Sequence, residues 1–137
     1  MPGNIIGLKE IVISIYNYVV GLAASILTLT ETGGTLTTDG TEQDVYINNA
    51  PAGLYTPKFI FIDFTNHTAA ETVVVKSYFR IKSGGGWIKN TSDTYAGVQD
   101  PLLIHLALKD TRYGIKVTAE KTGGVNKDYD WEVIYKI

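Results

Sequence analysis

Four stretches of this chain alternate apolar and polar residues with a period of two, the mark of β-strands that bury one face and wet the other. In residues 72–82, Val73, Val75, Phe79 and Ile81 share one side, and Lys76, Tyr78, Arg80 and Lys82 the other. Residues 102–108 set Leu102, Ile104, Leu106 and Leu108 opposite His105. Residues 112–120 turn Ile115, Val117 and Ala119 inward against Lys116, Thr118 and Glu120. Residues 129–137 do the same with Trp131, Val133, Tyr135 and Ile137 against Glu132, Ile134 and Lys136. A strand of this kind cannot cover its apolar side alone, so sheets must close on one another.

Other segments extend the pattern. Residues 26–31 and 35–38 flank Gly33-Gly34, which reads as a tight turn between paired strands. Residues 44–48 alternate through Val45 and Ile47, and residues 58–64 are apolar enough for a central strand covered on both faces. Ser83-Gly84-Gly85-Gly86 turns the chain into a short strand at 87–89. Eight or nine strands joined by glycine-rich turns predict a mainly β protein, an antiparallel β-sandwich, with the jelly roll as the commonest eight-strand plan. The chain has 137 residues, enough for one core.

The first 26 residues obey a different period. Ile5, Leu8, Val12, Ile15, Val19, Leu22 and Ile26 recur at spacings of three and four, an a/d stripe over three heptads. Ile6, Ile11, Ile13, Tyr16, Tyr18 and Val20 lie off the stripe, so the predicted α-helix is apolar nearly all round and must be covered. Copies of itself are the preferred cover, ahead of its own sandwich and of lipid. The charge-free run 11–29 approaches the ~20 residues of a membrane span. It also carries Ser14, Asn17, Gly21 and Ser25 and has no basic flank. The stripe residues are therefore the expected oligomer interface, with residues 1–25 an oligomerisation helix and 26–137 the sandwich domain. Met1-Pro2-Gly3-Asn4 shows no basic region or cleavage site, so no secretory leader is expected there. Charged residues make up 19% of the chain, few for a monomer, which favours surface buried in an assembly.

Chemistry has few carriers in this sequence. Twelve basic against fourteen acidic residues, with no cationic run, argue against nucleic acid as a partner. There is no cysteine, and neither His67 nor His105 stands at metal-ligand spacing; both read as surface histidines. Asp63 interrupts an apolar strand and reads as a strand-end residue capping a loop amide, while Asp93, Asp100, Asp110, Asp128 and Asp130 read as loop residues explained by turn chemistry better than by calcium. No catalytic residue, metal or cofactor is expected. Trp87, after the glycines, and Tyr95 are the candidates for surface binding, whereas Trp131 reads as core. Asn66-His67-Thr68 and Asn90-Thr91-Ser92 fit the glycosylation pattern.

A heptad-bearing arm, residues 8–26, leading into a cysteine-free sandwich, residues 27–137, resembles small jelly-roll virion structural proteins: capsid, decoration or spike subunits. The resemblance is one of plan and carries no motif. It implies a non-enzymatic role, self-assembly through subunit contacts as a trimer or larger body, and a place in a virion or extracellular assembly. A pilus-like filament subunit and a carbohydrate-binding module are the rival readings. The leader cleavage site and the acidic residue that pilin-like subunits carry are not evident around Gly3 or Gly7.

Overall fold

The computed structural model describes residues 8–17 and 29–136. Residues 8–17 form a helix, α1, and eight strands follow: β1 (Leu29–Thr37), β2 (Glu42–Asn48), β3 (Thr56–Asp63), β4 (Thr72–Phe79), β5 (Ile88–Ala96), β6 (Leu103–Ala107), β7 (Ile115–Gly123) and β8 (Asp128–Lys136). They build two four-stranded antiparallel sheets, in the orders β1-β8-β3-β6 and β2-β7-β4-β5. First strand pairs with last, second with seventh, third with sixth and fourth with fifth. Cross-pairs β3 to β8 and β4 to β7 close each sheet. This is the strand order of a jelly roll, a long hairpin rolled over on itself.

The alternation decides which side chains lie between the sheets. Ile60, Ile62 and Phe64 from β3 and its exit, Val73 and Val75 from β4, Ile115, Val117 and Ala119 from β7, and Tyr129 and Val133 from β8 form one buried cluster. Each such aliphatic or aromatic side chain contributes roughly 1.5–3 kcal/mol by leaving water. At the margin of the cluster, the hydroxyls of Tyr46 and Tyr55 lie 2.5 Å apart and pair with each other.

Several segments depart from the sequence reading. Gly33-Gly34 is not a turn, because β1 runs straight through it, opposite Glu132 and Trp131 of β8. A Cβ on Gly33 would lie 2.6 Å from the Trp131 carbonyl oxygen, and one on Gly34 would lie 3.4 Å from the Trp131 indole. The glycines are there for close approach of the partner strand. Val45 and Ile47 do not share a face. A bulge between Asp44 and Tyr46 resets the alternation, so Val45 and Tyr46 both turn inward and Ile47 is exposed. β3 is central, as expected, yet Phe59 and Phe61 on its outer side are only half-buried, so just one of its faces is fully covered. β4 stops at Phe79, which leaves Ile81 74% exposed.

Residues 90–96, read as loop beyond a short strand at 87–89, continue β5 to Ala96. This strand lies at a sheet edge. Its polar run from Lys89 to Thr94 suits that place, since it discourages pairing with other chains. Asp93, Asp128 and Asp130 consequently belong to strands rather than loops.

The glycine pair yields a direct test. Gly33→Ala should lower unfolding stability in urea by ~1–3 kcal/mol, the usual range for forced overpacking. Gly86→Ala, with nothing within 4 Å of the added methyl, should stay within about 0.5 kcal/mol of the parent. Equal losses would show that β1 does not pass Trp131 so closely.

Candidate functional site

Among the described residues, the helix presents the largest array of uncovered apolar side chains. At 100° per residue, Leu8, Ile11, Val12, Ile15 and Tyr16 fall in an arc of roughly 140°, and Glu10, Ser14 and Asn17 mark the opposite side. This refines the all-round apolar character expected of the segment, because over these ten residues a polar strip exists. Leu8, Ile11, Val12, Ile13, Ile15 and Tyr16 are between 53% and 68% exposed. Of the expected interface residues, Leu8, Val12 and Ile15 thus lie on one helix face. Ile5, Val19, Leu22 and Ile26 lie outside the described residues, as does the boundary drawn at residue 25. No helix among the described residues is long and apolar enough to cross a membrane.

A second apolar surface covers the middle of the sheet β1-β8-β3-β6 on its outer side. Phe59 and Phe61 meet edge to face, their ring centres 4.9 Å apart, with His105 6.3 Å from Phe61. Pairing sets Ile134 beside Phe59, and places Leu29 and Leu103 at the margins. Leu29 is 59% and Leu103 50% exposed. Carboxylates of Glu31, Asp63, Asp128, Asp130 and Glu132 ring this patch. Asp63 behaves as the sequence predicts: its Oδ1 accepts the Thr65 amide at 2.8 Å and so caps the strand exit.

Trp87 and Tyr95 are not brought together. Trp87 is half-buried, with the Arg80 guanidinium 4.1 Å over its ring and the Lys116 ammonium 5.2 Å away, cation–π contacts that occupy its face. Tyr95 packs against Phe64 at 5.1 Å, at the margin of the core. Trp131 likewise packs on the core, as expected.

His67 is no surface residue. It is 2% exposed, its Nδ1 hydrogen-bonds the Tyr129 hydroxyl at 2.9 Å, and its ring lies 5.0 Å from Phe64. Beside it sits Glu71, which the sequence reading passed over and which is also fully buried. The Thr68 hydroxyl donates to Glu71 Oε2, and the Lys127 ammonium stands 3.4 Å from Oε1. The Thr68-to-Glu71 spacing, a hydroxyl three residues before a carboxylate, was the available signal. The Thr68 hydrogen bond, with Lys127, holds the Glu71 carboxyl below the usual glutamate range. Burial, with the nearby Glu71 charge, pushes the Tyr129 phenol up to about 12. The Lys127–Glu71 pair ties the turns at 64–71 and 124–127 together, and Gly97, just after β5, donates its amide to the Glu71 carbonyl. It is a structural clasp. No three His, Asp or Glu side chains converge as a metal site among the described residues.

The sequence matches no protein family, and no curated protein matches it. Among solved structures, PirA superposes with a TM-score of 0.50 at 15% identity, over 78% of this chain and 93% of its own. A mitogen derived from Yersinia pseudotuberculosis gives 0.45 at 13% identity, over 79% and 86%. The infectious bursal disease virus VP2 subviral particle gives 0.43 at 9% identity, over 82% of this chain and 33% of the VP2 chain. The likeness is weak in sequence, and what the chain has in common with PirA is the β-sandwich fold.

The clasp predicts an acid response. A Glu71 pKa depressed below its ordinary value of 4.5 stabilises the fold above that pH, and the contribution is lost as pH falls through the lower folded value. The melting temperature should therefore drop between pH 5 and 2 more steeply in the parent than in Glu71→Gln, a pH range that is approximate. Parallel curves would show that Lys127 and Thr68 leave this carboxyl unperturbed.

Proposed function

We propose that this chain is a non-enzymatic structural subunit that gathers copies of itself through its N-terminal helix, as a trimer, in a virion assembly of capsid, decoration or spike type. The observation that carries the reading is the exposure of six large apolar side chains along ten helical residues. Covering them is favourable by on the order of 10 kcal/mol per helix. Association costs about 4–15 kcal/mol in lost freedom. Ten residues alone are marginal, so the reading needs the stripe to continue through Val19, Leu22 and Ile26. The jelly-roll order supports the same class by analogy, since the plan recurs in virus coat subunits as well as lectins. The aromatic patch around Phe59 and Phe61 offers a further surface for packing in a larger body.

Multi-angle light scattering separates the readings. The full chain should run as a trimer, and Ile15→Asp should reduce it to monomer while circular dichroism still shows the folded sheets, because the variant puts an unpaired charge in the seam. A chain starting at Ser25 should likewise be monomeric. Mass that climbs without limit with concentration would indicate a filament. A monomeric parent, or an Ile15→Asp variant of unchanged mass, would remove the assembly role.

A further inference from the structure

The turns at 80–87 and 108–114 enclose a cleft of about 410 Å³ at the end of the sandwich where the chain enters β1 and leaves β8. Its lining is strongly one-sided in charge. Arg80, Lys89, Lys109 and Arg112 border it, against the single carboxylate of Asp110. None of the four cations makes an ion pair among the described residues, although Lys76 and Lys127 both do. Arg80 stacks on Trp87, while Lys89, Lys109 and Arg112 stay exposed around one opening, Lys109 Nζ donating to Asn90 Oδ1 at 3.4 Å and Arg112 lying 5.7 Å over the Tyr113 ring. Like charges held around one cleft repel one another, and an arriving anion relieves that repulsion.

The walls are fixed. Tyr55 and Thr111 exchange backbone hydrogen bonds at 2.7 and 2.9 Å, Leu108 donates its amide to the Lys58 carbonyl at 2.9 Å, and the Thr111 hydroxyl donates to the Gly114 carbonyl at 3.0 Å. The Arg80 amide then ties the other turn to Gly114 at 3.0 Å. Phe79, Ile81 and Ile88 give the cleft an apolar side, and Asn90 and Tyr113 supply an amide and a phenol. Cations, neutral hydrogen-bonding groups and an apolar wall in one open cleft match a sugar ring, which presents hydroxyls and an apolar face, when that ring also carries an acidic group. A nucleic acid backbone would need a track of cations, whereas these four line a single cleft.

We propose that this cleft binds an acidic saccharide, with Lys109 and Arg112 pairing its carboxylate. Titration of the full chain with 3′-sialyllactose, followed by backbone amide NMR, tests this. Shifts should be confined to residues 80–90 and 109–114. Lactose should give none at the same concentration, and the double variant Lys109→Ala/Arg112→Ala should weaken binding at least tenfold with its melting temperature unchanged. Lys109→Arg should retain the shifts. If sodium sulfate alone reproduces the affinity, the sugar assignment fails. If sialyllactose causes no shifts, or shifts that survive the double variant, the site fails altogether.

Discussion

Ile60, Phe64, Val73, Val75, Ile115, Val117 and Val133 meet between the two sheets with at most 1% of their surface exposed. Each belongs to a strand or strand exit whose opposite side must tolerate water. That two-sidedness fixes register, because a slip of one residue would carry the whole apolar set outward. The glycines that let β1 pass Trp131, and the bulges at Val45 and Lys58 where the alternation is reset, keep that register.

The inward faces of β4, β6, β7 and β8 were legible because alternation is a local property. The jelly-roll plan was legible as a class; the strand order was not, since which strands become neighbours depends on loop crossings that leave no local trace. Gly33-Gly34 misled because glycine marks both a turn and a close approach of backbones, and only the partner strand tells which. β5 was underestimated because Asn90 to Thr94 has no apolar period, a consequence of its place at a sheet edge. His67 read as a surface residue and Glu71 was passed over because their burial is created by Phe64, Tyr129 and Lys127, the last two about 60 residues away in sequence. The four cations at 80, 89, 109 and 112 are scattered along the chain and come together only when the two turns close one end of the sandwich.

The molecule divides its tasks by surface. The sandwich stabilises itself, with its edges kept short or polar. Among the apolar residues it leaves uncovered, one set lies along α1 and one on the outer side of the β1-β8-β3-β6 sheet, while Leu54, Ile81, Val98 and Val125 belong to neither. Grouped exposure of this kind favours association, whereas scattered exposure does not. The cationic cleft is lined by no side chain of either set and lies among loops where a bound group can be reached from solvent, so assembly and ligand binding need not compete for the same side chains.

Amide hydrogen exchange read by mass spectrometry at two protein concentrations, a hundredfold apart, tests the central idea most directly. Peptides covering residues 8–17 should exchange fast in the dilute sample and be protected in the concentrated one, while those from β3, β4, β7 and β8 exchange equally slowly in both. Helix peptides whose protection does not change with concentration would contradict the account, because their cover would then not be other copies of the chain.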